Sequence, residues 1–160
     1  MSQVFKRRLV RERVLQVLYA FEMNQDSLSM LTNAILIDLT SEADREFAND
    51  LINKVVIHEK ELDKKISERV DNWEMSRIAL IDKLLLRMGI CELLYFPEIP
   101  PKVSINEAIE IAKEFSTAGS GKFVNGILDA ILSNLKEKDQ MNKTGRGLLE
   151  ESLTKPHPKK

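Results

Sequence analysis

The chain has 160 residues, 43% of them hydrophobic and 6% aromatic, with six glycines, five prolines and one cysteine. That length can bury a core without disulfides or metals, and the lone Cys91 excludes a disulfide within the chain and fits a reducing cytoplasm. The net charge of −1 conceals an asymmetry: residues 1–13 carry five basic side chains against one acidic, residues 136–160 seven against four, and residues 14–135 twelve against twenty. Phosphate-binding charge therefore sits at the two ends of an acidic body, which suits a two-partner adaptor better than a general RNA coater.

Taken in chain order, the first helix is expected over about Val4 to Met23, with Val10, Val14, Val17, Leu18 and Phe21 as its buried stripe. Lys6, Arg7 and Arg8 fan over about 200° of a helical wheel, so they read as a partly ordered arm leading into Arg11 and Arg13. The arginines also interrupt any signal-like leader. Asn24-Gln25-Asp26-Ser27 is a turn. A second helix, about Ser29 to Leu39, buries Leu31, Ala34, Ile35 and either Ile37 or Leu39. A third runs from near Ser41 to about Val70, with Phe47, Leu51, Val55 and Leu62 along one side. Asp71-Asn72 before Trp73 then marks a boundary between two halves. The fourth helix, about Ser76 to Phe96, is apolar almost all round and should be the central buried one. Its Asp82, Lys83, Arg87 and Glu92 are too many charges for a membrane span. Arg87 and Glu92 must find buried partners, while Asp82 and Lys83 form a short polar strip.

Pro100 and Pro101 end that segment, and Ser104 with Glu107 has the spacing of a capping box at a new helix start. Ile105, Ala108, Ile109, Ala112 and Phe115 form its apolar stripe. After a turn over Ser116–Gly121, the last helix carries Val124, Ile127, Leu128, Ile131 and Leu135 inward. Phe123 lies about 100° off that stripe, beside Lys122, at a helix start rich in unpaired amides. Helical phase leaves two readings open: a peripheral core ring, or a platform for a nucleic-acid base. Residues 139–160 are polar, with two glycines and two prolines, and read as a disordered tail.

These residues carry a resemblance. Ile99-Pro100-x-Lys102-Val103-x-Ile105-Asn106-Glu107-Ala108 and Lys122-Phe123-Val124-Asn125-Gly126-x-Leu128-Asp129 resemble the NusB family of bacterial transcription antitermination factors. Trp73, Arg77-Ile78, Asp82, Leu86-Arg87 and Glu92-Leu93 extend the likeness upstream, and Arg7-Arg8 to Arg13 with Leu15-Gln16-x-Leu18-Tyr19 resemble that family's arginine-rich opening helix. The resemblance implies an all-α, NusB-like domain of six or seven helices in two three-helix-bundle-like halves, about 1–71 and 72–138 of a single domain 1–138. It also implies binding of a boxA-type single-stranded RNA of ribosomal RNA leaders, together with a small-subunit ribosomal protein that doubles as an elongation factor. The pair then acts on elongating RNA polymerase. Within that frame Lys6, Arg7, Arg8, Arg11 and Lys122 would meet phosphates, Phe123 would stack a base, and Asp82 would face the basic ribosomal protein. Where some family members carry an acidic residue before the Lys-Phe-Val-Asn-Gly motif, this chain has Ala118-Gly119. Removing that charge favours RNA or loosens control over its binding.

Neither catalysis nor a cofactor is expected. Gly119-x-Gly121-Lys122 lacks the full phosphate-loop spacing, the acids have no partner histidine, and metal-ligand spacing is absent. A different class of reading stays open: a homodimeric helical interaction protein in which RNA binding is secondary.

Overall fold

The computed structural model describes residues 3–24 and 26–149, with side chains from residue 6 onward. It is all-α: α1 (Gln3–Asn24), α2 (Leu28–Ile35), a 3-10 turn (Leu36–Asp38), α3 (Glu42–Ile57), α4 (Glu59–Ser67), α5 (Asn72–Met75), α6 (Leu80–Tyr95), α7 (Pro101–Phe115), α8 (Ala118–Glu137) and a closing 3-10 turn (Gly145–Leu148). α6 is the hub, packing against α1, α3, α4, α7 and α8. Its apolar sequence explains the position, since Leu84 through Leu93 are buried without a break. Gly89 permits the close approach of α8: a Cβ there would lie 2.9 Å from a Leu128 methyl. No helix among the described residues is long and apolar enough to cross a membrane.

Most of the expected stripes are in the core, including Val10, Val14, Val17 and Leu18 of α1 and Val124, Leu128, Ile131 and Leu135 of α8. Several local expectations need correction. Lys6, Arg7 and Arg8 are no arm; they lie on α1, which continues regularly through them. The second helix tightens into the 3-10 turn at Leu36, and with three residues per turn Leu36 and Leu39 fall on one buried side while Ile37 is left 82% exposed. Ala34 is exposed as well. The long third helix breaks at His58 (φ −101°, ψ 18°). His58 stacks on Tyr95 there, ring centroids 4.2 Å apart, and the break lets Leu62 and Ile66 of α4 reach the core.

The capping box is also absent. α7 starts four residues earlier, at Pro101 with Pro100 as its N-cap, because proline in a first turn forgoes only an amide that would be unpaired anyway. Ser104 and Glu107 are therefore interior helical residues, both buried, and free to bind other helices. α8 likewise starts at Ala118 rather than after Gly121, since the Thr117 hydroxyl accepts from the Ser120 amide (3.0 Å) and caps the helix. Residues 139–149, expected as tail, fold back instead: the Thr144 amide donates to the Pro97 carbonyl at 2.9 Å and Gly147 is buried. The rest of the expected tail, 150–160, lies outside the described residues.

Candidate nucleic-acid interface

α1 aims its basic side chains at carboxylates on four other elements. Arg8 donates through Nε and Nη2 to the two Glu107 oxygens of α7, both at 2.9 Å, and keeps a side chain 24% exposed. Arg11 does the same to Glu92 of α6 at 2.8 Å and 2.8 Å, with both side chains almost fully enclosed. Ser104 of α7 completes that site by donating its hydroxyl to Glu92 Oε1 at 2.7 Å. Arg13 pairs with Asp38 at the surface. Arg7 lies 3.5 Å from Asp44 of α3, its guanidinium 4.4 Å above the Phe47 ring.

Burial alone would lower the Arg11 pKa, but the Glu92 charge and hydrogen bonds outweigh it and hold the guanidinium more firmly protonated than usual. The hydrogen bond to Glu107 raises Arg8 in the same sense. The expected phosphate role thus divides. Lys6 is exposed and Arg7 and Arg8 are half-exposed, whereas Arg11 is 4% exposed and committed to Glu92. The reason is helical phase: three residues beyond Arg8, Arg11 faces α6, where a buried carboxylate requires a counter-charge.

The other expected group sits at the start of α8. Lys122 is exposed, and Phe123 is half-buried, its ring packed on the edge of the core. Nearby, Ser120 donates its hydroxyl to Asp82 Oδ2 at 2.9 Å, so Asp82 ties the first turn of α6 to the first turn of α8. Asp82 is only 7% exposed and presents no carboxylate to solvent. Lys122 and Phe123 thus come from a different element than the arginines, on a helix that packs against α6 and α7.

An apolar groove of about 330 Å³ runs between α1, α6 and α7, lined in part by Leu15, Tyr19, Met23, Ile81 and Phe115. Tyr19 and Met23 are 38% and 59% exposed there. Sequence reasoning did not find this groove, nor the roles of Phe47, Ser104 and Glu107. The exposed Tyr19 off the α1 stripe was the available signal for the groove. Cys91 is fully buried, and burial pushes its thiol well above its ordinary range, which makes it unreactive.

The NusB family model matches residues 8–133. Among curated proteins, the transcription antitermination protein NusB of Chloroherpeton thalassium is 43% identical, covering 97% of this chain and 77% of its own length. That of Salinibacter ruber is 47% identical over 89% of this chain and 91% of its own. A solved structure of T. maritima NusB superimposes with a TM-score of 0.76 at 36% identity, over 84% of this chain and 97% of that one. The same fold, at 24% identity and a TM-score of 0.74 over 84% of this chain and 99% of that one, occurs in a crystal structure of antitermination factors NusB and NusE in complex with dsRNA. With Arg8, Arg11 and Arg13, the hub helix and the Lys-Phe-Val-Asn-Gly motif inside the matched span, this chain belongs to the NusB family.

Proposed function

We propose that this chain is a transcription antitermination factor that binds boxA-type single-stranded RNA of ribosomal RNA operons together with a small-subunit ribosomal protein, and through that pair acts on elongating RNA polymerase. The observation that carries this reading is the family match over residues 8–133, supported by relatives whose names state antitermination. Lys6 and Arg7 meet phosphates directly, and Arg8 does so from its exposed edge. Arg11 contributes from inside, by fixing α1 on α6. Lys122 adds a further cation at a helix start that favours anions, and Phe123 offers its exposed edge for base stacking. Asp82 orders the turn that carries Lys122 and Phe123 through its bond to Ser120, and the exposed Tyr19 and Met23 of the apolar groove receive the ribosomal protein.

Titrating labelled boxA-type and scrambled RNAs, each with and without the ribosomal protein, tests this. Tighter binding of the boxA sequence, strengthened by the protein, is expected. Equal affinity for both RNAs under all conditions would overturn it. The homodimer reading competes for the same exposed Tyr19–Met23 groove, and sedimentation velocity separates the two: a dimer that persists unchanged when RNA and ribosomal protein are added favours self-association.

A further inference from the structure

Beyond residue 133 the family model no longer matches, yet the chain returns to the centre of the molecule. Asp139 leaves α8 with a positive φ of 53°, and the strand of chain that follows crosses the C-terminal end of α6. Lys143 donates Nζ to the carbonyls of Glu92 (3.0 Å) and Phe96 (2.9 Å). These belong to the final turn of α6 and the residue capping it; each carbonyl also accepts a backbone amide, from Phe96 (3.2 Å) and Ile99 (3.1 Å) respectively, so Lys143 uses the second lone pair of both. One residue on, the Thr144 amide reaches the Pro97 carbonyl at 2.9 Å. Gly145 turns the chain with φ +50°, and Gly147 then lies so close to Pro97 that a Cβ would stand 1.8 Å from its carbonyl oxygen. Only glycine fits there.

The two carbonyls that Lys143 grips belong to the two residues that organise the arginine end of α1. Glu92 binds Arg11 with its carboxylate while its backbone is held by Lys143. Phe96 packs edge-on against Phe47 (centroids 5.6 Å apart, 75°), and Phe47 is the ring beneath both Arg7 (4.4 Å) and Arg11 (5.2 Å). A buried bidentate ion pair repays its desolvation only in good geometry, so whatever fixes the Glu92 backbone also fixes Arg11.

We infer that residues 139–149 form a strap, pinned by Lys143 and seated by Gly147, that holds the C-terminal turn of α6 and through Glu92 and Phe96 positions Arg11 and Arg7 for RNA. Lys143 is a positioning residue: it acts on the ligand through α6. The inference rests on the RNA-binding reading above for its last step only; the link from strap to arginine is independent of any ligand.

Two substitutions in the full-length chain test it. Gly147→Val unseats the strap, and Lys143→Met removes both hydrogen bonds while keeping the apolar stem. Solvent exchange of the Arg11 Nε–H, followed by NMR, reads the intramolecular link, and titration with a boxA-type RNA reads the functional one. Both variants are expected to exchange the Arg11 Nε proton at least several-fold faster and to bind RNA several-fold more weakly. Lys143→Arg, which keeps a cationic donor, should restore both values towards those of the unsubstituted chain. Unchanged Arg11 exchange in the folded Lys143→Met protein would overturn the strap. Faster exchange with undiminished RNA affinity would equally overturn its positioning role. If the unsubstituted chain itself bound no RNA while strap variants still freed Arg11, the functional reading would fall and the intramolecular link would stand.

Discussion

At the start of α1, cations meet carboxylates delivered by other elements: Asp44, Glu92, Glu107 and Asp38 each take one arginine. At the start of α8, Lys122 projects from an exposed position and Phe123 keeps one edge in solvent. Both regions read as basic or aromatic nucleic-acid signals along the chain. In the fold, the first spends much of its charge on assembling helices, and the second leaves its groups available. A basic run therefore measures ligand capacity only after its internal partners are subtracted. The buried pair shapes the surface from which the remaining cations act.

The comparison breaks most visibly at Arg11. Arg11→Ala strands the Glu92 carboxylate inside the core and should cost about 3–5 kcal/mol of folding stability, read by denaturant unfolding. A cost under about 1 kcal/mol, the range of exposed pairs, would mean that Arg11 belongs with the ligand-facing cations. Phe123→Ala tests the opposite pole. It should lower RNA affinity by about 1–3 kcal/mol, the range for one stacked base. Because the ring is only half-buried, the stability loss should fall short of the roughly 3–5 kcal/mol of a core phenylalanine. A full core-sized loss with unaltered RNA affinity would return Phe123 to the hydrophobic interior.

Lys6→Ala with Arg7→Ala sharpens the division within α1 itself. If these two meet phosphates, the slope of log K against log salt should flatten by about 0.7 per lost contact, with the helix content retained. An unchanged slope would remove them from the interface. The smallest effect concerns pH. Burial pushes the Lys143 amine down from its ordinary value of 10.5 to about 8, against the opposing pull of Glu92. Between those two values the unfolded chain binds the proton and the folded chain does not, so stability rises with pH from about 8 to 10.5. Below 8 and above 10.5 this contribution is flat. Comparing the melting temperatures of the unsubstituted and Lys143→Met proteins across that window isolates it, and parallel curves would contradict it.

Much of the architecture was legible in local pattern. The all-round apolar character of 84–93 predicts a hub helix, and the spacing of Val124, Leu128, Ile131 and Leu135 predicts a buried face, because both depend on the helical period and on removing apolar surface from water. The requirement that Arg87 and Glu92 find buried partners was legible too, as a statement about charge in a low-dielectric interior. Which partners they take was not. Arg87 binds Asp63, 24 residues away, and Glu92 binds Arg11, 81 residues away. Ser104 and Glu107 mimicked a capping box while serving two ion pairs across helices. Residues 139–149 looked like solvated tail because their anchors are backbone carbonyls of another segment, which leave no mark on the composition of the strap. The sequence by itself determined which stretches become helices and which faces they bury, since period and hydrophobicity are local properties. Tertiary structure alone decided which arginines remain free for a ligand, because a charge is spent only when packing brings its counter-charge within reach.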